Sequence, residues 1–312
     1  MSWKATGFCL ALVMVGFPAI ARADCDSAVT TARKAVDASD FDHFDEVRQG
    51  LAACEASKRS LWSDELARGL YREAVSRIRK KGQTLAEQRP LIDKALGFGE
   101  PYELLALQCR LNHLEKRFAE AQSACEMALT RIQDTDRTPN PPNPEAIERI
   151  FKLAEESRLL ASTYKSSPTT RSGEASGISA PLLRGFTVKK VAIPIQFQYG
   201  KADFTEDGTH AAADLVTMLR QQQPQHIKLI GHTDPAGTDA YNDALSLSRA
   251  QAVQRFIQEH IQEQGQGQGV KIAIAIDVEG HGKREPYQPA SPDELTEDQL
   301  HQLSRRVELV RQ

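Results

Sequence analysis

The residues best suited to chemistry lie in one run, Gly231-His232-Thr233-Asp234-Pro235-Ala236-Gly237, followed by Tyr241-Asn242 and Leu245-Ser246-Leu247-Ser248-Arg249-Ala250. Asn242, Ser246 and Arg249 are spaced by four and three residues, which puts them on one face of a helix. Asp234 falls in the loop just before that helix. A carboxylate and a guanidinium are therefore expected to face one shallow pocket, with Arg249 on an exposed helix face. The ligand suited to that pair carries an ammonium and a carboxylate on one carbon. Asp234 accepts from the ammonium, and Arg249 clamps the carboxylate through two parallel hydrogen bonds. Asn242 and Thr233 add neutral hydrogen bonds that fix orientation.

The free end of meso-diaminopimelate is such a group. Lysine in its place lacks the carboxylate and leaves Arg249 unpaired, a loss on the order of 1.5–3 kcal/mol. His232 reads as an orienting residue packed under the loop rather than a direct contact. A metal-dependent hydrolase is the competing chemistry, with His232, Asp234 and His281 as three ligands. No general base accompanies them, and Gly-x-Ser-x-Gly is absent. The expectation is a binding site with no catalytic residue, no metal and no cofactor.

Elements that alternate between strand and helix must position these residues. Ile193, Ile195, Phe197 and Tyr199 alternate with polar neighbours as in a half-buried strand. Thr205-Glu206-Asp207 caps a helix running to about Arg220. His226–Gly231 reads as a second strand and Ala240 to about Gln264 as a second helix. Gly265–Gly269 is a loose turn, Ile272–Val278 a third strand and Arg306–Val310 the last. Strands alternating with helices predict a mixed sheet with helices packed on it.

Residues 186–312 resemble the OmpA-like C-terminal domain, a non-covalent peptidoglycan-binding module. The matching pieces are Phe197 with Phe204, Gly231-His232-Thr233-Asp234 with Gly237, Asn242, Leu245-Ser246 and Arg249-Ala250. Gly280 with Gly282 and Pro286, and Arg305-Arg306-Val307-Glu308, complete the set. The resemblance implies a β/α sandwich that binds diaminopimelate in the wall's stem peptides. Asp234 and Arg249 match its principal ligand residues, and Thr233, Asn242 and Arg305 its secondary contacts. Gln198 stands where many members carry an acid, and Ser304 where an Asn often precedes the Arg-Arg pair.

From Asp26 to Tyr164 the pattern is helical instead, with breaks near Asp40, Lys81-Gly82, Gly97-Phe98-Gly99 and Thr138–Pro144. About seven helices with short connections follow. Pro101–Ile132 resembles a single tetratricopeptide repeat; a plain helical hairpin is the other reading. Residues 165–185, rich in Ser, Gly and Pro, read as a flexible linker. The fold class is therefore α+β multidomain: a helical repeat-like array at 24–164, the linker, and the β/α sandwich with a mixed sheet at 186–312.

Residues 1–23 read as a signal peptide: Lys4, a short apolar stretch from Phe8 to Ile20, then Ala21-Arg22-Ala23 before the cut. An uncleaved anchor is the alternative, but the apolar run is too short to span a bilayer comfortably. Asp24 precedes Cys25 where a lipoprotein signal wants a small residue. Cys25, Cys54, Cys109 and Cys125 remain, an even number that suits an oxidising compartment. They allow three pairings. Cys25–Cys54 and Cys109–Cys125 are preferred because each staples adjacent antiparallel helices, and no CxxC or CxxH spacing supports a metal.

A net charge of −3 argues against nucleic acid as a partner. The helical part lacks the alternating ten-residue strands of an outer-membrane barrel. Together these readings describe a Gram-negative periplasmic tether at the cell wall or outer membrane, without a transmembrane span in the mature chain. Its C-terminal domain grips the stem peptide and its helices hold a protein partner. The alternative is an interaction adaptor whose C-terminal domain no longer binds the wall.

Overall fold

The computed structural model describes residues 24–166, 179–180, 182–262 and 272–311. The expected signal peptide, the middle of the expected linker and the turn at 265–269 lie outside these residues. The chain divides into two compact units between Trp62 and Ser63.

In the first unit α1 (Cys25–Ala38) starts at Asp24, whose carboxylate accepts from Ser27 N at 2.7 Å. It buries the small residues Ala28, Ala32 and Ala35, while α2 (Phe44–Gly50) buries Phe44 and Val47. Cys25 and Cys54 form a disulfide. The long α3 (Ala56–Lys81) carries the chain into the second unit.

There α4 (Arg89–Leu96), α5 (Tyr102–Leu114), α6 (Phe118–Gln133) and α7 (Pro144–Leu160) follow; the expected breaks separate α4 from α5 and α6 from α7, while α5 and α6 part at residues 115–117 inside the expected hairpin. The α5–α6 hairpin is stapled by Cys109–Cys125, with Cα atoms 5.1 Å apart. Asn143 and Pro144 begin α7 as cap and first-turn proline, Asn143 Oδ1 accepting from Ala146 N at 2.9 Å.

The C-terminal part consists of β1 (Leu182–Leu183), β2 (Phe186–Thr187), β3 (Lys190–Ile193), α8 (Glu206–Gln222), β4 (His226–Gly231), α9 (Asp239–His260), β5 (Ala275–Gly280), α10 (Glu297–Ser304) and β6 (Val307–Arg311). Four strands form a mixed sheet in the order β3-β6-β4-β5; β4 and β5 run parallel and the other pairs antiparallel. The α+β class read from the sequence holds. In β4, Ile227, Leu229 and Gly231 face inward alternately, as period-two patterning requires.

Three expectations change. The first strand ends at Ile193, not at Tyr199, because Pro194 has no N–H to donate to the ladder. Beyond it only Phe197 and Phe204 bridge, and Tyr199 is 99% exposed. Next, α10 was not expected. Its capping box, in which Thr296 Oγ1 accepts from Gln299 N and Gln299 Oε1 from Thr296 N, is the signal that marks it. Third, the described end of the expected linker is packed rather than free. Ala180 and Leu183 are buried, and β1–β2 is a small hairpin turning at Arg184-Gly185.

Packing also runs across the expected domain boundary. One hydrophobic core joins Ile132, Ile147, Phe151 and Ala154 of the helices to Val191, Ile227, Leu229 and Leu309 of the sheet. On α7, Glu155 accepts from Ala192 N at 2.6 Å and from the Tyr287 hydroxyl at 2.7 Å, capping the open edge of β3. Glu156 accepts from Ala290 N at 2.7 Å, and Gln302 donates to Leu159 O at 2.8 Å.

Candidate functional site

The site forms where β4 and β5 end side by side and α9 crosses them. Gly231 and Gly280 are register partners there. A Cβ on Gly231 would lie 2.0 Å from Ser246 O, and one on Gly280 2.6 Å from Leu247 N, so both glycines let the helix backbone approach. The Ser246 hydroxyl accepts from Gly282 N at 2.9 Å, and Thr233 N donates to Gly282 O at 2.9 Å. These bonds fix the loop between β4 and α9.

Asp234 sits on that loop, its Oδ1 accepting from Ala236 N at 3.1 Å and its Oδ2 from Arg305 Nη1 at 2.8 Å. Arg249 is not on an exposed face, as the spacing suggested, but is 6% exposed. Its Nε donates to Lys201 O at 3.0 Å, and its guanidinium carbon lies 5.0 Å from the Phe197 ring centre. Burial, then the neighbouring Arg305 cation, pull the Arg249 guanidinium below its usual pKa, and Asp234 acts in the opposite direction. Arg249 is thus a held cation with an acid and a second cation nearby.

Arg249 and Arg305 line a cleft of about 370 Å³ together with Phe197, Gln302 and the end of α7 with the two residues after it, Arg158 to Ser162. Sequence reasoning missed α7 here, because its contribution comes from residues far away in the chain. Within the cleft Arg158 Nε is buried without a hydrogen-bond partner. The arrangement can take an anionic group between guanidiniums, with Asp234 beside them for a cation.

The other expected site residues are placed differently. Asn242 is buried, and its Nδ2 donates to Ala236 O at 2.8 Å, so it holds the loop. Thr233 is 3% exposed and its hydroxyl has no partner. His232 is fully buried behind the loop, its Nε2 3.1 Å from Glu308 Oε2 without hydrogen-bond alignment. Burial would raise the Glu308 carboxyl, but His232, Arg306 and Lys190 hold it well below the usual carboxylate range.

The stretch from 196 to 299 matches the family model described as OmpA family. Residues 196–299 form an OmpA family domain. Outer membrane protein A of Shigella flexneri is 32% identical over 93 residues, which are 27% of this chain and 26% of that protein. Photosystem I P700 chlorophyll a apoprotein A2 of Gloeobacter violaceus is 28% identical over 165 residues, 49% of this chain and 18% of that protein. The chain thus spans about a quarter or less of either relative. A solved structure of the peptidoglycan-associated lipoprotein from Burkholderia pseudomallei is 25% identical, covering 38% of this chain and 88% of that chain at a TM-score of 0.28. The OmpA family is non-enzymatic, so the hydrolase reading of His232, Asp234 and His281 is set aside. Among the described residues, no helix is long and apolar enough to cross a membrane.

Proposed function

We propose that the OmpA family domain of this chain binds peptidoglycan non-covalently through the free end of a diaminopimelate residue. Asp234 takes the ammonium, and Arg249 takes the carboxylate with Arg305 as its neighbour. The observation that carries this reading is a buried, oriented guanidinium lining the cleft, with a partly exposed acid, Asp234, bonded to Arg305 of the cleft wall. Arg249 meets the protein through its Nε, which leaves its Nη groups for a planar anion. Thr233 and Asn242 shape the loop that presents Asp234.

The protein is then a non-catalytic wall tether of the periplasm, whose helices hold a protein partner. Two disulfides suit that compartment. The test is co-sedimentation of residues 24–312 with diaminopimelate-type and lysine-type sacculi, beside the Asp234→Ala variant. Retention by the first sacculi alone, lost in the variant, is the expected result. No retention by either wall type sinks the proposal and leaves the interaction adaptor.

A further inference from the structure

Behind the ligand loop lies a cluster that wall binding does not use. His232 directly follows β4, while His281 and Glu285 follow β5, and one ligand atom from each lies within 4.8 Å of the others. His232 is fully buried, and neither ring nitrogen makes a hydrogen bond. A buried polar atom without a partner costs about 1–3 kcal/mol, and such groups mark places where an ion or water belongs.

The surrounding carboxylates are arranged in the same way for both histidines. Glu308 Oε2 lies 3.1 Å from His232 Nε2, and Glu279 Oε2 is 3.0 Å from His281 Nε2. Each Nε2 therefore faces a carboxylate and each Nδ1 is left over. The His281 Nδ1 sits 3.1 Å from Glu285 Oε1 without the alignment of a hydrogen bond. Two ligands of one tetrahedral zinc, each about 2.0–2.1 Å from the metal, stand about 3.3 Å apart and need no such alignment. A carboxylate behind each ligating imidazole is the pattern that fixes its tautomer and orientation in metal sites.

We infer that His232 Nδ1, His281 Nδ1 and the Glu285 carboxylate form a zinc site, with water in the fourth position. His281 and Glu285 are the partly exposed ligands and have the freedom to close on buried His232. Asp234 is not a ligand, since Arg305 and its own loop hold it. The metal would join the ends of β4 and β5 at the residue directly before Thr233-Asp234. It stabilises the fold in either outcome of the wall-binding test, because the ligands belong to no part of the cleft.

The experiment is calorimetric titration of the chelator-stripped, untagged chain, residues 24–312, with zinc chloride, beside His281→Ala and Glu285→Gln. Wild type should take up one equivalent and melt higher with zinc. Both variants should bind at least tenfold more weakly and lose the zinc-dependent rise in melting temperature. Glu285 is mostly exposed, so Glu285→Gln tests the site even if the histidine variant is poorly folded. Absence of saturable binding in wild type, or affinity unchanged in both variants, overturns the assignment.

Discussion

Arg249 shows what residue spacing can and cannot reveal. Its position three and seven residues after Ser246 and Asn242 was legible, and so was its nearness to Asp234. Its burial was not, because the cover comes from the Lys201 carbonyl and the Phe197 ring on a loop some fifty residues earlier. The consequence is measurable. Arg249→Ala should lower stability by about 1–3 kcal/mol, since it removes a buried side chain with its bond to the Lys201 carbonyl and uncovers Phe197. A lower melting midpoint together with lost sacculus retention is expected. Arg249→Lys should recover part of the stability but little of the binding, because an ammonium cannot pair side-on with a carboxylate. A melting temperature unchanged in the alanine variant would show the guanidinium to be structurally idle.

Among the elements, β4, α8, α9 and β6 fell within a few residues of their sequence-based ranges, because unbroken periodicity runs through each. Alternation misled at Ile193–Tyr199, where an apolar rhythm continues past a proline that ends the ladder. The short α10 has too few turns for a periodic signal and is marked only by its cap. Helix α7 carries the element-scale prediction. Burial pushes the Glu156 carboxyl up to about 7, against the opposing pull of the Ala290 N–H and Lys152. A carboxyl raised in the folded state contributes stability that is present below about pH 4.5 and lost as pH rises through about 7. Glu156→Gln should therefore melt above wild type at pH 8, by on the order of 1–3 kcal/mol, and together with it near pH 4.5. Thermal melts of both chains across that range decide it, and a constant gap would remove Glu156 as the titrating group.

At the scale of the molecule, composition separated a helical array from a sheet domain, and a Ser-, Gly- and Pro-rich stretch stood between them. Composition reports local flexibility; it is silent on whether two regions share a core. Residues 63–312 do share one, with Phe151, Leu159 and Leu160 packed against the sheet side. A fragment of residues 186–312 should accordingly melt below one of residues 63–312 by several degrees, and lose the α7 wall of its cleft. Equal melting temperatures in calorimetry would mean that α7 adds nothing to the stability of the sheet.

The edge cap made by Glu155, with the Gln302–Leu159 bond and the Arg110–Glu294 ion pair, has a mechanical meaning. Pulling on the helices of this unit strains side-chain bonds to the sheet in parallel with the covalent path through residues 165–185. Tension on these helices is therefore shared with the sheet through α7 itself, whose last residues line the cleft.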